Sequence, residues 1–202
     1  MSATSIPRAL DQFLTKLHPD THMAPLDAVL HHSLTAWLPY YRALQTLLSG
    51  NILCTPAEKA AGFFLFAQAT LDGIADTVRC FFGLPWSRAE FSHARLTLVF
   101  PHLCMAYQLT GDTPEVLRHL RDLQARVVEH CGHDTGADRA GISPDILPDL
   151  MHRIDTYLWA LLQCLAQNIA HYHGRRDALP ESTPSDRSPG HTVLASESTP
   201  VT

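Results

Sequence analysis

An all-α fold is what this sequence predicts, on three observations. Proline opens and glycine closes successive apolar segments, apolar residues within them recur at three- and four-residue steps, and no run alternates β-branched with polar residues. Together these describe an up-and-down bundle of about five long helices, a short N-terminal helix and a disordered C-terminal tail. A chain of 202 residues, 46% of them hydrophobic, suffices for one buried core. Residues 1–174 are therefore expected to form a single helical domain, and 175–202 the tail.

The short helix is read from Pro7 to His18, with Leu10, Phe13, Leu14 and Leu17 on the side that docks on the bundle. The first long helix, "PLDAVLHHSLTAWLPYYRALQTLLSG", carries a stripe of Leu26, Val29, Leu30, Leu34, Trp37, Leu38, Tyr41, Leu44 and Leu48, with a kink expected at Pro39 and a stop at Gly50. In the second, Thr55 is the N-cap, Pro56 the first helical residue and Glu58 the partner that completes a capping box, and Gly83 is the stop. Its middle, "AAGFFLFA", is apolar all round, which marks a helix surrounded by others and places it at the centre.

Ser87 and Glu90 repeat the capping box, so the third long helix is expected to run from there to Gly111 with a kink at Pro101. The fourth runs from Thr113 and Pro114 to Gly132, with a core stripe through Leu117, Leu120, Gln124, Val127 and Cys131. In the fifth, Leu147, Leu150, Met151, Ile154, Leu158, Leu161, Leu165, Ile169 and Tyr172 share one face as far as Gly174. Short connections such as "LPWS" and "DTP" imply that neighbouring helices return antiparallel. After them the chain loses its periodicity and gains Pro, Ser and Thr, including the pairs Thr183-Pro184, Ser188-Pro189 and Thr199-Pro200, each a candidate for phosphorylation.

Charge and composition exclude several functions. Fifteen Lys and Arg against 20 Asp and Glu give a formal charge of −5, without the positive field that holds a phosphate backbone, so nucleic acid is not expected as a partner. The start lacks the pattern of a secretory signal, and no apolar run is long enough for a membrane span, so the expected location is cytoplasmic. Cysteines at 54, 80, 104, 131 and 164 form no CxxC pair and read as reduced thiols, most of them in apolar helical stretches. No G-x-S-x-G elbow, Walker loop or dinucleotide fingerprint occurs, and no cofactor is expected.

Two constellations carry chemistry. "VVEHCGHDTG" gathers Glu129, His130, Cys131, His133 and Asp134, while "EFSH" and "DLMH" are both carboxylate-x-x-His steps of the kind found in carboxylate-bridged metal bundles. Threading up and down would bring Asp76, Glu90, His93, Glu129, His133, Asp149 and His152 to one end. Yet Glu129, His133, Asp149 and His152 fall opposite the apolar stripes of their helices, so the expectation is a solvated face and no metal. The second constellation is "CFFGLPW", where Phe81, Phe82, Leu84 and Trp86 crowd a tight junction. If exposed they suit a protein partner, and if buried they staple two helices. The expected function is association with a protein partner or a second copy, with Phe81, Phe82 and Trp86 as interaction residues and no enzymatic activity. The alternative is an enzyme or ligand carrier with a pocket between helices, with or without a metal at the carboxylate and histidine cluster.

Overall fold

Thr55 does what its place before Pro56 requires. Its hydroxyl accepts the Glu58 N–H, and the Glu58 carboxylate accepts the Thr55 N–H at 2.8 Å, so two donors at the helix start are satisfied by a local exchange worth about 1 kcal/mol. The helix that follows ends at Gly83, whose φ of +62° is left-handed, and a side chain there would also collide with the Arg175 guanidinium. A computed structural model describes residues 5–17, 25–50, 54–131 and 144–178. They form eight α-helices and no strand: α1 Ser5–Leu17, α2 Pro25–Ala36, α3 Leu38–Leu48, α4 Pro56–Phe82, α5 His93–Ala106, α6 Thr113–Cys131, α7 Leu147–Gln167 and α8 Ile169–Ala178, with a 3-10 turn at Pro144–Ile146. The tail beyond Ala178, with its Ser/Thr-Pro pairs, lies outside the described residues.

Two of the five expected long helices are divided. The first breaks at Trp37, because Pro39 has no N–H to continue the ladder. The last breaks at Asn168 and then continues through Gly174 to Ala178, so Arg175 is helical rather than part of the tail. A third departure concerns the second capping box. Ser87 and Glu90 do bond to each other as expected, but they close a turn, and α5 begins only at His93, capped by Ser92. It ends at Ala106 rather than Gly111, with Gln108 left-handed at φ +47°.

The core is one cluster in which α1 contributes Ile6, Leu10, Phe13 and Leu17, and α7 runs through it with Leu150, Ile154, Leu158, Leu161 and Leu165. Each such side chain, fully buried, contributes roughly 1.5–3 kcal/mol. Trp37 rests directly on Gly73 and Leu47 on Gly62, and Ser33 on α2 bonds the Cys80 thiol, so α2 and α3 run antiparallel to α4. Asp122 on α6 meets Arg153 on α7, and Arg126 acts on Asp149, so these two are antiparallel as well. The α4–α5 pair is not. Asp72 accepts the His93 N–H at 2.8 Å while Phe82 packs on Tyr107, so both helices run the same way. The 83–92 link travels back along α4, held where Arg79 donates to the Trp86 carbonyl and Asp76 faces Arg88.

Burial also corrects the expected centre. The "AAGFFLFA" half of α4 is not surrounded, since Leu65 is 66% exposed, and the enclosed part is Thr70–Phe82. Val29 is likewise exposed, and among the described side chains of α6 the buried ones are Val116, Leu120 and Leu123, with Leu117 half-buried, while those of Gln124, Val127 and Cys131 lie outside the described residues.

Polar ties reinforce the packing. Gln45 donates to the Tyr41 hydroxyl, which donates to Asp155 at 2.9 Å, joining α3 to α7. Burial holds the Asp155 carboxyl above the usual carboxylate range, against the opposing effect of the Tyr41 bond. A raised folded value means the folded state holds that proton more tightly. Asp155 thus contributes stability below its unfolded pKa that is lost as pH rises through the folded value. Asp155→Asn keeps an acceptor for Tyr41 and removes the titration. The Tm of Asp155→Asn relative to the parent should therefore climb as pH rises from about 4 toward 7, and a flat difference would show that Asp155 is solvated like any surface carboxylate.

Candidate functional site

Two of the three rings expected at the aromatic junction turn inward. Phe81 is 1% exposed and sits between three helices, its ring stacked on Tyr172 at 5.7 Å and near Phe13 at 6.1 Å. Phe82 is buried against Phe81 and Tyr107. Both turn inward because they follow the enclosed stretch of α4, where every residue from Gly73 to Val78 is buried. They act as staples. Trp86 alone of the three expected interaction residues stays half-exposed, stacked on the buried Phe91 at 5.4 Å with the Arg95 guanidinium 5.5 Å over its ring.

Of the seven carboxylates and histidines that threading would gather, Asp76, Glu90, His93 and Asp149 are engaged in other ways. Asp76 is buried and binds Arg79, and the Glu90 carboxylate is held below its usual range by the Ser87 hydroxyl. His93 is buried, its ring edge-on to Tyr157 at 5.4 Å. Asp149 is held below the usual range by Arg153, which also bonds Asp122. His152 is exposed beside them. Among the described residues no group of three or more His, Cys, Asp and Glu comes together as a metal would need. The side chains of Glu129, His130 and Cys131, and residues His133 and Asp134, lie outside the described residues.

Between α6 and α7 runs an open groove of about 360 Å³, lined by Arg118, His119, Asp122, Asp149, His152 and Arg153 among others. Its carboxylates are already engaged, Asp122 and Asp149 with Arg153, and Glu115 beside them with Arg118 and His119. The arrangement serves as an electrostatic seam between two helices, with little charge left over for a ligand.

A different surface is open. On α5, Leu98 is 73% and Met105 69% exposed, seven residues apart and therefore on one face. Arg95 and His102 fall on the same stripe and are exposed too, and Trp86 flanks it through Arg95. The opposite side of α5 buries Leu96, Phe100 and Leu103, which fixes the helix against the bundle. Sequence reading missed this stripe. The available signal was the composition of "HARLTLVFPHLCMA", where Arg95 is the only Lys, Arg, Asp or Glu in fourteen residues, too few to give a helix one polar side.

No family model matches the chain, and neither a curated protein nor a solved structure matches it. Among the described residues no helix is long and apolar enough to cross a membrane.

Proposed function

We propose that this protein acts without catalysis, by association, and that the outer face of α5 with Trp86 at its edge is the contact surface. The observation that carries this reading is the exposure of Leu98 and Met105 on a helix whose other side is anchored in the core. Covering large apolar side chains supplies association energy that exceeds the rotamer freedom they lose, and the helix that carries them is already anchored, so no backbone has to be ordered on binding. Trp and Arg are the side chains most often found at the energetic centre of interfaces, and here Trp86 and Arg95 are already stacked beside the apolar stripe. The partner is a protein with an apolar groove, or a second copy of this chain.

Leu98→Glu combined with Met105→Glu is expected to abolish binding while leaving stability within about 0.5 kcal/mol, since both side chains are mostly solvated before the change. A photocrosslinking residue at position 98 should capture one defined partner or a second copy, and the same residue at position 118 should not. Undiminished capture or self-association in the double variant would sink the reading.

A further inference from the structure

Nothing in the local sequence requires the break between α7 and α8. Between Pro148 and Gly174 there is no proline or glycine, and the apolar stripe continues through Ile169 to Tyr172. The chain leaves the helical region at Asn168, with φ −107° and ψ 19°, and side-chain bonds hold the break there. Asn168 is 2% exposed, its Oδ1 accepts the Thr110 N–H at 2.9 Å and its Nδ2 donates to the Thr110 carbonyl at 2.9 Å and the Cys164 carbonyl at 2.7 Å. Bent this way, α8 reaches across to α2 and α4. The Tyr172 hydroxyl donates to the buried Asp27 at 2.7 Å, and its ring stacks on Phe81. Arg175 lies over that ring and donates to the Cys80 carbonyl at 2.6 Å. Among the described side chains of α8 only Tyr172 is fully buried, with Ile169 packed at the edge of the core and His171 against Tyr107, so the helix has a single deep anchor.

We propose that α8 is an exchangeable arm, and that the pocket formed by Asp27, Cys80 and Phe81 takes Tyr172 and Arg175 from a second copy of this chain. In the exchanged pair α7 and α8 become one straight helix, roughly 48 Å long at 1.5 Å per residue. Every contact of α8 is then remade between copies, so the pocket chemistry is unchanged and the balance is set by the bend and by concentration. The exchange adds to the association reading and does not use the α5 face.

The test uses the full chain in size-exclusion chromatography with light scattering over a concentration series. Asn168→Ala removes the Thr110 ties and places the strongest helix former at the joint, so its dimer fraction should exceed the parent's by about tenfold. Adding Tyr172→Ala, or Asp27→Ala, to that variant should each abolish the dimer. An equimolar mixture of those two double variants should restore it, because the intact arm of one chain then meets the intact pocket of the other. The parent chain, concentrated, should form the same species, which keeps the test decisive if Asn168→Ala folds poorly. A chain monomeric at all concentrations, a dimer indifferent to Tyr172, or a mixture that fails to reassociate would overturn the proposal. Loss of the Asn168→Ala dimer on adding the Leu98→Glu and Met105→Glu changes would assign it to α5 and overturn it equally.

Discussion

Phe81→Ala is expected to destabilise the protein by about 3–5 kcal/mol, the usual cost of deleting a buried phenylalanine ring. The ring is 1% exposed and touches Phe13 on α1, Phe82 beside it and Tyr172 on α8. Its removal opens a cavity where three helices meet. The fall should appear in urea melts as a lower midpoint with an unchanged slope, since the surface exposed on unfolding is nearly the same. Trp86→Ala is the contrasting case, because a half-exposed ring forfeits only part of its burial and should cost clearly less. A Phe81→Ala midpoint within about 0.5 kcal/mol of the parent would mean that α1 and α8 do not close over α4.

The same junction shows what the sequence could and could not reveal. The ends of α4 were legible because capping is local chemistry: Thr55, Glu58 and Gly83 act within one turn of the backbone they serve. The face of α7 was legible for a related reason, since a three- and four-residue period survives any packing partner. Direction and exposure were not. Ser87 and Glu90 form their local exchange whether or not a helix follows, and here Phe91 turns into the core and the helix waits for Ser92. The start of α5 depends on Asp72, twenty-one residues earlier, a tie no window of sequence displays. The apolar character of "AAGFFLFA" was visible, but composition does not separate a surrounded helix from one with a side left open, as Leu65 is.

The candidate site divides along the same line. Phe81, Phe82 and Trp86 were identifiable as aromatics crowding a junction, yet which of them faces water depended on the path of the 83–92 link. That path is set by Arg79 reaching the Trp86 carbonyl and by Asp76 between Arg79 and Arg88. Leu98 and Met105 read as core residues by type, and they are exposed because α5 packs with only one side. The break at Asn168 was hidden because its cause, Thr110, lies on another connection.

Gly73→Ala and Gly62→Ala should shift stability in opposite directions, although both replace a glycine inside the same helix. In an unconstrained helix interior the change stabilises by up to about 1 kcal/mol, because glycine has more backbone freedom to lose. At Gly62 the new methyl meets a Leu47 methyl at 3.4 Å, the mobile end of a side chain, and most of that gain should be realised. At Gly73 it would lie 2.5 Å from the Trp37 Cβ and 3.4 Å from its Cα, atoms that cannot rotate away. Helix α2 must then retreat at the joint where Trp37, 0% exposed, packs edge-on against Tyr41. Tyr41 in turn carries the bond to Asp155, so the retreat loosens α3 from α7 as well. Overpacking of this kind costs about 1–3 kcal/mol beyond the helix-propensity gain. Urea melts of the two variants beside the parent decide the matter. Equal stabilisation by both would show that Trp37 does not rest on Gly73, and with it one of the two contacts that set α3 antiparallel to α4 would be lost.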